Sequence, residues 1–159
     1  MDEPRKNPPG MDPDLPLSVT HEVRDRCLCL HLQRAARIVA RRFDEALAPF
    51  ALTNRQFSVL MALNRPDGPR LGALVPVLGM DRTTLTAALK PLERRGLVRS
   101  EADAGDGRAR RLHLTGAGRA ALKAALPAWR ATHDALDREH GAEALGDLRD
   151  GLAGLAFGP

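Results

Sequence analysis

Tyrosine is absent from this 159-residue sequence, and aromatic residues as a whole make up only 3% of it. With so few aromatic side chains, the core has to consist mainly of leucine, alanine and valine, a composition that favours packed helices over a sheet sandwich. The two cysteines, Cys27 and Cys29, stand two residues apart, which excludes a disulfide framework. No apolar run reaches the roughly 20 residues needed to cross a bilayer, and the N-terminus lacks the apolar stretch of a secretory signal. We therefore expect a cytoplasmic protein with no membrane partner.

The sequence also lacks the motifs that carry most enzyme chemistry. It contains no G-x-S-x-G nucleophile elbow, no phosphate-binding P-loop and no G-x-G-x-x-G motif after a predicted strand. Cys27 and His31, four residues apart on a predicted helix, could supply two ligands to a metal ion, but nothing nearby completes a set of four. The sequence therefore predicts a protein that is not an enzyme, without catalytic residues, a cofactor or a metal site.

Positive charge is concentrated in the middle of the chain. The formal net charge is +4, and residues 53–115 hold 11 Lys and Arg against 6 Asp and Glu. The remaining residues hold 13 basic against 14 acidic side chains. A basic segment of this kind indicates an anionic partner such as nucleic acid.

The spacing of apolar residues changes along the chain and marks helices and strands in turn. Residues 1–17 carry five prolines and predict a disordered arm. Apolar residues every three to four positions predict one long helix over about 19–48, ended by Pro49. Further helices are predicted over 52–65, 70–80, 81–96, 116–136 and 143–157, and strands over 97–101 and 109–114.

Two short helices joined by a glycine-containing turn and followed by a β-hairpin are typical of a winged helix-turn-helix. The predicted fold is therefore mainly α with a small β-hairpin wing, and residues 51–115 form its DNA-binding lobe. The helices within 18–50 and 116–159 carry more apolar surface than so small a lobe can cover. We expect them to be dimerisation helices of a homodimer.

The helix predicted over 81–96 would enter the major groove of double-stranded DNA. Its leucines face the core, which leaves small polar and long basic side chains that suit base edges and phosphates. These candidate contacts are Arg82, Thr83, Thr84, Thr86 and Lys90. The same residues are compatible with an ordinary solvated helix face.

The stretch DAGDGRARRLHLT, residues 103–115, places a cluster of arginines at the tip of the predicted hairpin. Arg108 could enter the narrow minor groove, where negative potential is concentrated, and Asp106 could orient its guanidinium through a bidentate pair. Arg110 or Arg111 could then contact the flanking phosphates. A polar turn alone would explain the glycines of this stretch but not its arginines.

Three segments, LTNRQFSVLMAL, LGMDRTTLTAALKPLERRGLV and DAGDGRARRLHLTGAGRAAL, resemble in order and spacing the MarR family of winged-helix transcriptional regulators. The resemblance covers roughly residues 25–157. It implies a dimer with intertwined terminal helices whose two recognition helices read a near-palindromic operator, most often as a repressor. It also implies that Asp106 and Arg108 form the wing pair, and that the candidate threonines and Lys90 lie on the groove face. Pro76 and Pro91 depart from the family's pattern, in which most members have no proline inside these helices.

The sequence leaves open whether the regulatory signal is an oxidant or a small molecule. Cys29 and its surrounding leucines resemble the organic-hydroperoxide-sensing, OhrR-like branch of the family, in which oxidation of an early helical cysteine releases DNA; Cys27 is the second candidate thiol. That branch uses tyrosine hydroxyls beside its cysteine, whereas Phe43 and Asn54 stand at the corresponding positions here. A small anionic ligand could instead bind polar residues of the first long helix, namely His31, Gln33, Arg34 and Arg37. A further alternative is a winged helix that binds other proteins, with little specificity for DNA.

Overall fold

The structure is a computed structural model that describes residues 10, 12–103, 105–106 and 109–157. Within these residues the chain is mainly helical and carries a two-stranded antiparallel hairpin, as the sequence predicts. In chain order the elements are α1 (Leu17–Arg26), α2 (Leu28–Leu47), a short 3₁₀ turn (Ala48–Phe50), α3 (Asn54–Ala62), α4 (Leu71–Leu78), α5 (Arg82–Arg94), β1 (Val98–Ala102), β2 (Arg110–Leu114), α6 (Gly116–His140) and α7 (Ala142–Phe157). The chain divides into two compact units, residues 1–40 and 41–159. Most of the predicted disordered arm lies outside the described residues.

Cys27 separates α1 from α2, where the apolar periodicity predicts a single helix over 19–48. The Cys27 backbone is extended, with ψ 96°, and its Sγ accepts a hydrogen bond from the Leu30 backbone N–H at 3.4 Å. Cys27 thus ends α1 and caps one of the free N–H groups at the start of α2. The apolar stripe continues through the break, so periodicity alone could not reveal it.

The start of α3 is fixed by a reciprocal capping box, which confirms Thr53 as the predicted cap. The Thr53 hydroxyl accepts from the Gln56 backbone N–H at 3.2 Å, and the Gln56 side chain accepts from the Thr53 N–H at 3.1 Å. The Oδ1 atom of Asp44, near the end of α2, also accepts a hydrogen bond from the Asn54 N–H at 2.6 Å. Together these bonds satisfy several of the backbone donors that a helix leaves free at its N-terminus.

Helices α4 and α5 form the predicted helix-turn-helix. Helix α4 lasts only two turns and contains Pro76, and it ends at Gly79, whose φ of 59° lies in the left-handed region. Asp81 caps α5 as predicted, accepting from the Thr84 N–H at 2.8 Å. The predicted inner face of α5, Leu85, Leu89 and Leu92, is buried.

An aliphatic core lies beneath these helices, as the low aromatic content predicts. Its fully buried members are mostly leucines from the end of α2 through α3 and α4 to α5: Leu47, Leu60, Leu63, Leu74, Leu85 and Leu92. Phe57 belongs to the same core, and Trp129 packs against it with ring centroids 6.0 Å apart. Burial of this many leucines stabilises the lobe that carries α5.

The hairpin is joined to its neighbours at both ends. β1 and β2 pair with Val98 opposite Leu114 and Ala102 opposite Arg110, and the segment before α4 adds a bridge between Arg70 and Arg111. After β2, Thr115 caps α6 as predicted, accepting from the Gly118 N–H at 3.0 Å while its hydroxyl donates to the Gly96 carbonyl at 2.7 Å. The wing is therefore anchored both to the helix-turn-helix and to α6. None of the helices in the described ranges is both long and apolar enough to cross a membrane.

Candidate nucleic-acid interface

Helix α5 presents to solvent the face that lies opposite its buried leucines. The exposed side chains of this face are small or basic, namely Thr83, Ala87, Lys90 and Arg94, and Arg82 is exposed to one side of it. Thr86 is exposed beside them and Thr84 is half-buried. All five recognition-helix residues predicted from the sequence therefore lie on α5 outside its core stripe, and the structure adds Ala87 and Arg94 to the same surface.

The threonines of α5 differ in the hydrogen bonds that their hydroxyls already make. The Thr84 hydroxyl donates to the second carboxylate oxygen of Asp81 at 2.7 Å, and hydrogen bonds from Thr84 hold the pKa of Asp81 below its usual range. The Thr86 hydroxyl donates to the Arg82 backbone carbonyl at 2.7 Å. Both of these hydroxyl protons are therefore occupied within the helix.

Asp103 ties the base of the wing to the segment before α4, a role that the sequence did not reveal. Its side chain is only 2% exposed and accepts from Arg70 at 2.8 and 3.2 Å and from Arg111 at 2.5 Å. The backbone N–H groups of Gly105 and Asp106 donate to the same carboxylate at 3.0 and 3.1 Å. The guanidinium of Arg70, aided by these further donors, holds the pKa of Asp103 far below its usual range.

The structure describes two of the three predicted wing contacts, Asp106 and Arg110. Asp106 is exposed, and its carbonyl accepts from the Ala109 N–H at 2.8 Å. Arg108, predicted to pair with Asp106, lies outside the described residues. Arg110 lies along β1, donating to the Ser100 hydroxyl at 2.5 Å and to the Ser100 carbonyl at 2.9 Å.

A cleft of about 860 Å³ separates the wing from α4 and α5. It brings together four of the predicted DNA-contacting residues: Arg82, Thr86, Asp106 and Arg110. Arg82 extends toward α4, so that a Cβ at Gly72 would lie 3.1 Å from its Nη2. A second, shallower groove on α5 contains Thr83, Ala87, Lys90 and Arg94, and Arg82 and Thr86 line both this groove and the cleft. Cationic side chains thus lie on both sides of the helix.

The candidate signal residues lie in the other unit, residues 1–40. Cys29 is exposed, as are the predicted ligand-binding residues His31, Gln33, Arg34 and Arg37, whereas Cys27 is half-buried. The Gln33 amide donates to Cys29 Sγ at 3.2 Å. In the unit formed by residues 41–159, Phe43 is buried, with its ring centroid 6.5 Å from that of Trp129 and 4.8 Å from that of His133.

Comparison with known sequences places the central part of the chain in a family. The sequence profile of the MarR family matches residues 52–109, from the start of α3 into the hairpin. The transcriptional regulator HosA of Escherichia coli is 40% identical over 76 residues, which cover 48% of this chain and 56% of HosA. The match therefore spans about half the length of this curated relative.

Solved structures match most of the chain. The transcriptional regulator MosR of M. tuberculosis, solved in complex with DNA, is 38% identical with a TM-score of 0.74, covering 82% of this chain and 94% of MosR. The transcriptional repressor CouR bound to a 23-mer DNA duplex is 33% identical with a TM-score of 0.75, covering 84% and 95%. CouR from Rhodococcus jostii RHA1 bound to p-coumaroyl-CoA is 25% identical with a TM-score of 0.70, covering 80% and 89%.

These structures share most of their length with this chain, and the family profile covers the helix-turn-helix and part of the hairpin. With a family profile over the lobe and a relative of 38% identity matched over nearly its whole length, this chain belongs to the MarR family and has its winged helix-turn-helix fold.

Proposed function

We propose that the protein is a dimeric, sequence-specific regulator of transcription that binds double-stranded DNA and acts as a repressor. The observation that carries this proposal is the pairing of an exposed basic face on α5 with a wing that Asp103 fastens to the helix-turn-helix. This arrangement suits a helix in the major groove and a hairpin tip in the neighbouring minor groove. The DNA complexes of MosR and CouR support the same assignment.

The residues proposed to contact DNA belong to two elements. On α5 they are Arg82, Thr83, Thr84, Thr86 and Lys90, which would reach base edges and phosphates in the major groove. On the wing, Arg108 would enter the minor groove with its direction set by Asp106, and Arg110 would contact a phosphate. Because Arg110 is held along β1 by Ser100, its guanidinium is partly preorganised for that contact.

A homodimer is proposed from the apolar side chains that the chain leaves exposed. In residues 1–40 these include Val23, Leu28, Leu30, Ile38 and Val39, and on α7 they are Leu148, Leu152 and Leu155. Exposed apolar patches of this kind are typical of protein interfaces. A two-fold dimer would present two copies of α5 and would therefore read a near-palindromic operator. Analytical ultracentrifugation should show a dimer that Leu152→Glu weakens.

The DNA-binding proposal can be tested by fluorescence anisotropy. The full chain is added to a labelled duplex taken from upstream of its own gene. We expect saturable binding that weakens steeply as salt rises, because phosphate contacts release counterions. Arg108→Ala should weaken binding by about 1–3 kcal/mol, whereas Arg138→Ala, near the end of α6, should not. Weak binding that does not respond to Arg108→Ala would instead indicate a winged helix that contacts other proteins.

A small molecule is the first candidate for the signal that releases DNA. The side chains of His31, Gln33, Arg34 and Arg37 are exposed on α2 and could bind an anionic group. The complex of CouR with p-coumaroyl-CoA supports a ligand-controlled regulator. Screening anionic aromatic compounds for release of the labelled duplex would identify such a ligand, and Arg34→Ala together with Arg37→Ala should abolish the response while DNA binding persists.

Oxidation of Cys29 is the second candidate signal. Cys29 is exposed, and the Gln33 amide donates a hydrogen bond to its sulfur. The thiolate would attack an organic hydroperoxide, forming a sulfenate and releasing the alcohol. Treatment with hydroperoxide should then release DNA reversibly, with recovery after dithiothreitol. Cys29→Ser should stay bound, and unchanged binding of the wild type after oxidation would reject this signal.

A further inference from the structure

The outward surface of α5 divides into two strips that face different directions. Residues four and seven positions apart fall on one side of a helix with about 3.6 residues per turn. Thr83, Ala87, Lys90 and Arg94 share such a strip, directly opposite the buried stripe of Leu85 and its neighbours. Arg82 and Thr86 lie to one side of this strip and also line the cleft that faces the wing, which Thr83 and Ala87 do not line.

The two strips also differ in whether their threonine hydroxyl is free to donate a hydrogen bond to DNA. The Thr86 hydroxyl donates to the Arg82 carbonyl, whereas within the described residues the Thr83 hydroxyl makes no hydrogen bond. Thr83 can therefore donate to a base without giving up an existing bond. Ala87, one turn further on, is small enough to let base edges approach and presents a methyl group, which suits contact with the methyl group of thymine.

From this division we infer that Thr83 and Ala87 are the residues that determine sequence specificity, contacting base edges in the major groove of the DNA. Arg82 and Thr86, on the side of the wing, contact the sugar–phosphate backbone that runs between the two grooves. Lys90 and Arg94 continue the strip of Thr83 with long cations that hold the C-terminal half of α5 against the DNA. This inference rests on the proposed function, because it assigns tasks within the same interface.

A pair of matched substitutions separates the two strips. Thr83→Val and Thr86→Val remove the same hydroxyl from exposed positions of one helix, and both variants are expected to fold. Each protein would select binding sites from a library of duplexes with a randomised centre. The wild type should enrich an inverted repeat. Thr83→Val should lose discrimination at one base pair of each half-site, by roughly 5- to 100-fold, and Thr86→Val should keep the wild-type preference at every position.

Two further measurements test the roles assigned to Arg82 and Ala87, using the duplex that the wild type enriches. Arg82→Gln should lower affinity for all library sequences alike and reduce the salt slope by about one phosphate contact. Replacing single thymines by uracil removes only a methyl group. The wild type should lose affinity at one such position in each half-site, and Ala87→Gly should be insensitive there.

The inference is overturned if Thr83→Val retains full discrimination, or if Thr86→Val changes the preferred sequence, while the wild type still selects an inverted repeat. A wild-type protein that enriches no sequence would overturn both the inference and the proposed sequence-specific function. Circular dichroism of the two valine variants establishes that they are folded alike.

Discussion

Arg70 and Asp103, 33 residues apart in the sequence, form a two-point ion pair in which Nη2 donates to Oδ1 at 2.8 Å and Nε to Oδ2 at 3.2 Å. Arg70 precedes α4 and Asp103 follows β1, so this pair joins the helix-turn-helix to the base of the wing. Arg111 donates to the same carboxylate and also to the Gly68 carbonyl at 2.9 Å. The buried carboxylate of Asp103 therefore gathers several of the bonds that hold the wing against the helix-turn-helix.

Replacing Asp103 by asparagine should lower both the melting temperature and the affinity for DNA. An amide carries no charge and offers one oxygen acceptor in place of two, so two guanidinium groups and two backbone N–H donors would compete for it. Thermal unfolding and anisotropy would measure the two effects. Asp67→Asn is the control, because Asp67 pairs with Arg65 at the surface, where an ion pair contributes little. Equal melting temperatures for the two variants would contradict the anchoring role.

The contribution of Asp103 to stability should diminish in acid. Its pKa is lower in the folded protein than in the unfolded chain, where an aspartate titrates near about 4. The folded state therefore binds fewer protons in acid, and the stabilisation is fully present well above about pH 4 and is lost progressively as the pH falls from there toward the depressed pKa of the folded state. Urea unfolding from pH 7 to pH 3 should show the difference in free energy of unfolding between the wild type and Asp103→Asn narrowing toward the acid end without closing. A difference between them that stays constant with pH would rule out the ionised carboxylate as its cause.

Gly118→Ala should destabilise the protein by about 2–4 kcal/mol. A Cβ at position 118 would lie 2.2 Å from the Leu97 carbonyl oxygen, and this oxygen belongs to backbone that cannot move aside easily. Gly116→Ala, two residues earlier in α6, would meet nothing within 4 Å. Equilibrium unfolding in urea should therefore show a large loss for the first variant and a change below about 1 kcal/mol for the second. Similar losses for both would mean that the approach of α6 to Leu97 is not the cause.

Ala51→Gly should stabilise the protein by about 0.5–1 kcal/mol. Ala51 has a φ of 53°, in the left-handed region where a Cβ crowds the following carbonyl and glycine does not. Its carbonyl accepts from Arg95 at 2.5 Å, a bond that glycine retains. Ala120→Gly, at an exposed position inside α6, should instead lower stability by about 1 kcal/mol. Urea unfolding of both variants should show changes in the free energy of unfolding of opposite sign, a gain for Ala51→Gly and a loss for Ala120→Gly.

Most of the lobe could be predicted from the sequence because its signals are local. Thr53, Asp81 and Thr115 each cap the helix that follows, and each cap bonds to an N–H only three residues away. The hairpin is marked by the change from a helical to a two-residue period, and the inner face of α5 by the spacing of its leucines. The contacts proposed for these elements with DNA stay predictions for the binding experiments to decide.

Local sequence signals specify where the helices and strands of the lobe begin, which side chains they bury and where positive charge is concentrated, since such features depend on neighbours within one or two turns. Long-range packing instead sets the pairing of Asp103 with Arg70, the approach of Gly118 to the Leu97 carbonyl, and the cleft in which Arg82 and Thr86 face the wing. Those relationships join residues distant in the chain, or depend on which side of a helix meets its neighbours. Spacing cannot specify them, because they arise when the elements pack together around one core.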